Sequence, residues 1–131
     1  MNVKAKLHKK AVKLHKKGHK LIKKGKIKEG FALYQETLAI ADNIGALEVK
    51  AHALSNMAQI IANNGDFKTS LSYMEQSIEI LKKLEAPDLE KIITIYEDIK
   101  FMGENKEFES IMNSPKLKEI FNDMLIKKPS K

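Results

Sequence analysis

Two stretches of this chain, GKIKEGFALYQETLAIA (25–41) and GDFKTSLSYMEQSIEIL (65–81), align without a gap at an offset of 40 residues. Gly25 falls on Gly65, Ile27 on Phe67, Gly30 on Ser70 and Phe31 on Leu71, and Leu38 and Ile40 fall on Ile78 and Ile80. Carried backwards, the offset sets Leu14, Gly18 and Leu21 against Leu54, Ala58 and Ile61, so each copy puts a small residue between two large ones. On a helix, that pattern lets a paired helix approach closely at the small residue while the large neighbours fill the grooves beside it. Gly30 and Ser70 do the same from the facing segment, and the glycine between the segments permits a tight turn. A period of this size constrains the chain to stacked helical hairpins, the arrangement of a helical solenoid.

Apolar residues fall at helical spacing along the rest of the chain, with no convincing alternating run for a strand. Val3, Leu7, Ala11, Leu14, Gly18 and Leu21 form one narrow stripe on a first helix ending near Gly25. A second helix carries Phe31, Tyr34, Leu38 and Ala41 and stops at Asn43–Gly45, where glycine suits a left-handed cap. The third spans Leu47 to Ala62 and ends in Asn63-Asn64-Gly65; the fourth runs from Phe67 to Leu84 and is closed by Pro87. A fifth is expected from Asp88 to Met102 with Gly103 as its terminator, and a short sixth from Glu107 to Met112. Ser114-Pro115 is a restart signal, an N-cap hydroxyl before a proline in the first turn. It opens a last helix bearing Leu117, Ile120, Phe121, Met124 and Leu125. Seven helical segments and no strands predict an all-α protein.

At 131 residues the chain holds one domain. No run of about 18 apolar residues spans a membrane, and no apolar core with a cleavage site follows the basic amino terminus. The absence of cysteine removes disulfides, thiol catalysis and cysteine-ligated zinc, and fits a cytoplasmic location. The net charge of +7 conceals an asymmetry, because residues 1–28 hold 12 lysines and no acid, which leaves 12 lysines against 17 acids in the remainder. Every basic residue is lysine. Bidentate recognition of phosphate or guanine is mainly the work of arginine, which this chain lacks.

The second copy, with Leu54, Ala58, Ile61, Gly65, Phe67, Ser70 and Tyr73, resembles the tetratricopeptide repeat family. The first meets the same pattern with Leu14, Gly18, Leu21, Gly25, Ile27, Gly30 and Tyr34, and LSNMA (54–58) looks like the first-helix core of the longer-loop variety, whose repeats run near 40 residues. A degraded third copy aligns at offset 41, with KEF (106–108) in place of GDF and Ile95, Ile99 and Met102 in place of Leu54, Ala58 and Ile61. The resemblance implies a right-handed helical-hairpin solenoid in one domain over 1–127. Repeat 1 is expected at about 11–45, repeat 2 at about 51–85, a degenerate repeat 3 at about 91–113, a capping helix at about 115–127 and a frayed tail at 128–131.

In that family the first helices line a concave groove. The resemblance therefore implies a groove built from His15, His19 and Lys23, then His52, Ser55, Asn56, Gln59 and Asn63, then Tyr96 and Lys100. Some members clamp a peptide's terminal carboxylate there. Of the positions such a clamp uses, only Asn56 fits; Ile93 and Glu97 stand where its basic residues would fall, so that activity is not expected. Catalysis is not expected either, since no Gly-x-Ser-x-Gly elbow, acid–histidine pairing or phosphate-binding glycine loop occurs. His15 and His19, with a third histidine, could in principle hold zinc or nickel, but the surrounding lysines oppose a cation, and neither metal nor cofactor is expected.

Lys9, Lys10, Lys13, Lys16, Lys17, Lys20 and Lys24 form an expected basic surface on the first helix. Residues 1–30 have no aromatic to stack on a base, and the apolar stripe is too narrow for a membrane-surface helix. The reading is a non-enzymatic scaffold or adaptor that holds a peptide or helix of another protein, with the lysines favouring acidic partners. The alternative is non-specific, salt-sensitive nucleic-acid binding through residues 4–28. Self-association through the open edge of so short an array is a further expectation.

Overall fold

The structure, a computed structural model, describes residues 2–126; the tail expected to fray at 128–131 lies outside the described residues. Six helices follow one another: α1 (Val3–Lys23), α2 (Ile27–Ile44), α3 (Leu47–Asn63), α4 (Phe67–Lys83), α5 (Leu89–Met112) and α6 (Pro115–Ile126). No strand occurs among the described residues. The helices pack in adjacent pairs, α1 on α2, α2 on α3, α3 on α4 and α4 on α5, with lighter contacts of α1 with α3, α3 with α5 and α5 with α6.

Local chemistry sets the helix ends. The Asn2 side chain accepts the Ala5 N–H at 2.8 Å, Asp66 accepts the Thr69 N–H at 3.1 Å, and the Ser114 hydroxyl accepts the Leu117 N–H at 3.2 Å. Each gives a first-turn donor the partner that the helix cannot. At the carboxyl end of α2, Gly45 takes the left-handed conformation at φ 70°. Forty positions later Glu85 does the same at φ 50°, although it has a side chain. Left-handed backbone costs an L-residue about 1–2 kcal/mol, and glycine's greater unfolded-state freedom returns part of that. Glu85→Gly is therefore expected to stabilise the fold by about 0.5–1 kcal/mol, measured by urea denaturation.

The forty-residue period is visible in burial. Gly30, Tyr34, Thr37 and Ala41 are the buried positions of α2 before its last turn, and Ser70, Met74, Ser77 and Leu81 are those of α4. Ala11 and Gly18 of α1 correspond to Ala51 and Ala58 of α3. Small residues at these sites allow close approach. A Cβ on Gly30 would lie 2.5 Å from Ile22 Cδ1 and 2.9 Å from the Gly18 carbonyl oxygen. In the second pair the Ser70 hydroxyl donates to the Ala58 carbonyl at 2.6 Å and that of Ser77 to the Ala51 carbonyl at 2.7 Å. Two buried hydroxyls thus fasten α4 to the backbone of α3 without leaving a polar atom unpaired.

The third unit departs from the sequence expectation. Helices five and six are one continuous helix, α5, and Gly103 lies inside it rather than at its end. Nothing at 104–107 breaks a helix, and the residues that would form the turn, Asn105 and Lys106, replace the glycine found at 25 and 65. Gly103 instead gives room to Phe67, whose Cβ and Cγ would sit 3.0 and 3.1 Å from an added Cβ. Ile92 and Ile99, on the same stripe, join Ala51, Ala58, Ala62, Met74 and Leu81 in one core. The third segment therefore forms no hairpin; α5 closes the core alone, and among the described residues α6 touches only α5.

A candidate partner-binding groove

On α3, His52, Asn56, Gln59 and Asn63 recur at i, i+4, i+7 and i+11, so their side chains share one face of the helix. That face stays at the surface because the other two are occupied. The stripe of Ala51, Ala58 and Ala62 belongs to the core shared with α4 and α5, and Ala53, Leu54 and Met57 are buried outside that core.

The first two residues of the α3 row are each tied to a neighbouring helix. The Asn56 amide nitrogen lies 2.7 Å from His15 Nε2 of α1, within hydrogen-bond distance. The His15 ring also stands edge-on to Tyr34 of α2, with centroids 5.3 Å apart. On the other side, His52 Nε2 is 3.3 Å from Asp88 Oδ2 at the start of α5, an ion pair whenever His52 is protonated. Gln59 and Asn63 line a shallow depression completed by Ile95, Asp98 and Met102 of α5. The Gln59 amide donates to the Ser55 carbonyl within its own helix at 3.3 Å. His19 and Lys23 lie exposed beside His15, with Lys16 and Lys20.

Three residues expected in the groove are placed elsewhere. Ser55 is buried, and its hydroxyl donates to the His52 carbonyl at 3.1 Å, so a partner does not reach it. Tyr96 and Lys100 lie on the opposite side of α5 from Ile95 and Met102, in a depression with Ile93, Glu97, Phe101 and Glu104. The Tyr96 hydroxyl donates to Glu75 of α4 at 3.4 Å. The cause is register. The Ile92–Ile99–Gly103 stripe docks α5 on the shared core, which turns Tyr96 and Lys100, the positions aligned with Ser55 and Gln59, to the other side of α5. That stripe, read for its own spacing, was the signal that would have brought Ile95, Asp98 and Met102 into the groove.

The groove has an electrical polarity. Its α1 side carries lysines and His19, its middle is amide, and its α5 side carries Asp88 and Asp98. Burial disfavours the charged imidazolium of His15, and the nearby His52 and His19 add repulsion, so its pKa lies below the ordinary 6.5. The folded state then takes up this proton less readily than the unfolded chain. The stability His15 supplies is complete above 6.5 and is lost as pH falls below it. The melting temperature is expected to drop as pH falls below about 6.5, and by less in His15→Gln, whose amide does not titrate.

Among the described residues, no three His, Cys, Asp or Glu side chains converge as a metal set, and no helix is long and apolar enough to cross a membrane. Comparison of the chain with protein-family models, curated proteins and solved structures gave no match.

Proposed function

We propose that the chain is a short tetratricopeptide-like stack, right-handed like that family, and that it serves without catalysis as a scaffold or adaptor. Its groove between α1, α3 and α5 holds a peptide or helix of another protein. The observation that carries this reading is the row His52–Asn56–Gln59–Asn63, a polar, half-open helix face flanked on both sides by other helices. Amides in such a row suit the backbone and side-chain groups of an extended or helical segment, and the flanking Ile95 and Met102 offer it apolar contact. The polarity of the groove adds direction. A bound segment places acidic side chains over α1 and basic ones over α5, which also speeds encounter with partners so charged.

The test is affinity capture from the source cell with quantitative mass spectrometry, comparing wild type with His19→Ala/Gln59→Ala/Asn63→Ala. All three side chains are exposed or half-exposed, and none bridges two helices, so the variant keeps the fold. Capture of the groove partner should fall about tenfold or more, equivalent to about 1.4 kcal/mol. Equal recovery of every partner would remove the groove from consideration.

A further inference from the structure

The two ends of the stack carry opposite and unused faces, and we infer that they bind each other in successive copies of this chain. The basic face is on α1. At about 100° per residue, every residue of α1 between Lys6 and Lys24 that projects within roughly 60° of Lys13 is a lysine. Lys6, Lys10, Lys13, Lys17, Lys20 and Lys24 are the backbone of that sector, and all are exposed. The forty-residue register explains what this face replaces. Lys13, Lys17 and Lys20 stand where α3 has the buried Ala53 and Met57 and the half-buried Ile60, which lie outside the core shared with α4 and α5. In α1 the face used for stacking on a preceding helix is present, but it is charged instead of apolar.

Like charges three and four residues apart on a helix repel. Among the described residues, only Lys10 of this sector has an ion-pair contact, a long one of 3.9 Å to Glu36. A polyanionic surface laid on the sector would remove that repulsion.

The complementary face is on α5. Without a hairpin partner, α5 leaves Phe101 and Phe108 63% and 61% exposed, one heptad apart. The charged residues within roughly 60° of Phe101, from Glu90 to Phe108, are all acids, among them Glu90, Glu97 and Glu104. None of these three has an ion-pair partner among the described residues. The two faces also match in length, each spanning 19 residues, or about 27 Å of helix from first to last. Lysine stems can cover phenylalanine rings while their ammonium groups meet carboxylates. The molecule already makes such a contact internally, with the Lys106 ammonium 5.7 Å from the centre of the Phe67 ring.

The basic α1 face of one copy therefore seats on the acidic, aromatic α5 face of the next. The contact is heterologous, so it extends head to tail and gives a series of oligomers instead of a single dimer.

Sedimentation velocity of the full chain over a wide concentration range tests this at low and high salt. At about 0.01 M salt the sedimentation coefficient should rise with concentration, and at about 1 M the apparent association constant should fall tenfold or more. Replacing Lys6, Lys10, Lys13, Lys17, Lys20 and Lys24 together by glutamate gives a chain acidic on both faces, and Glu90→Lys/Glu97→Lys/Glu104→Lys gives one basic on both. Each alone should stay monomeric, and an equimolar mixture should associate. Phe101→Ala/Phe108→Ala, with every charge kept, should weaken wild-type association. A wild type that remains monomeric at low salt overturns the proposal, as does association that persists in either charge-swapped chain alone. Low-salt binding of duplex DNA without self-association also overturns it, by assigning the lysine face to nucleic acid.

Discussion

Leu81→Ala should lower the unfolding free energy by about 3 kcal/mol, within the 2–5 kcal/mol typical of a buried leucine truncated to alanine. Leu81 has no exposed surface and lies in the one core that joins α3, α4 and α5. Its repeat counterpart in α2 is Ala41, so the two hairpins fill the same position with different volumes. Only the second hairpin has a large side chain there to lose. A domain of this size is stable by about 5–15 kcal/mol, so one such change removes a large share of the margin. In urea denaturation the midpoint should fall with the slope unchanged. A loss below about 1 kcal/mol would mean that α4 and α5 are not packed around Leu81.

Gly30→Leu is the second large effect, and two terms of opposite sign decide it. Leucine favours a helix interior over glycine by about 1 kcal/mol. Against this, the first added carbon already lies within 2.9 Å of the Gly18 carbonyl oxygen and 2.5 Å of Ile22 Cδ1. The isoleucine can turn aside; the backbone of α1 cannot without opening the hairpin. Overpacking costs about 1–3 kcal/mol and more where backbone must move, so a net loss of about 2 kcal/mol or more is expected. Hydrogen exchange should show it first in α1. Stabilisation would mean that α1 does not approach α2 at this point.

Much of the fold was legible in the sequence because the first two hairpins are defined by residues with few alternatives. Gly25, Gly45 and Gly65 all have positive φ at helix ends, and Gly18 and Gly30 sit at the closest helix approach. The third unit was legible only in part. Gly103 carries the same letter as those turn glycines but meets a different need, room for Phe67, and a sequence does not say which need a glycine answers. Reading it as a stop divided α5 in two. Separately, the alignment at offset 41 placed Tyr96 and Lys100 in the groove and left Asp98 and Met102 out.

In the groove, the α3 row followed from spacing alone. The contacts that tie it to neighbouring helices, His15 with Asn56 and His52 with Asp88, depend on how those helices are placed, which no local pattern encodes. The lysines of α1 show the reverse case. Their number was plain from the start, while their arrangement as a charged version of a stacking face needed the register between α1 and α3.

The pattern of helix contacts also governs how fast this chain can reach its structure. Among the described residues, each helix touches its neighbours in sequence and at most the next helix but one. Little loop-closure entropy is spent before contacts form, because their partners are near along the chain. Helical proteins with such local contacts fold in microseconds to milliseconds. Because α3 and α4 hold five of the seven buried residues of the shared core, the highest φ-values are expected there, with lower ones in α2 and α5.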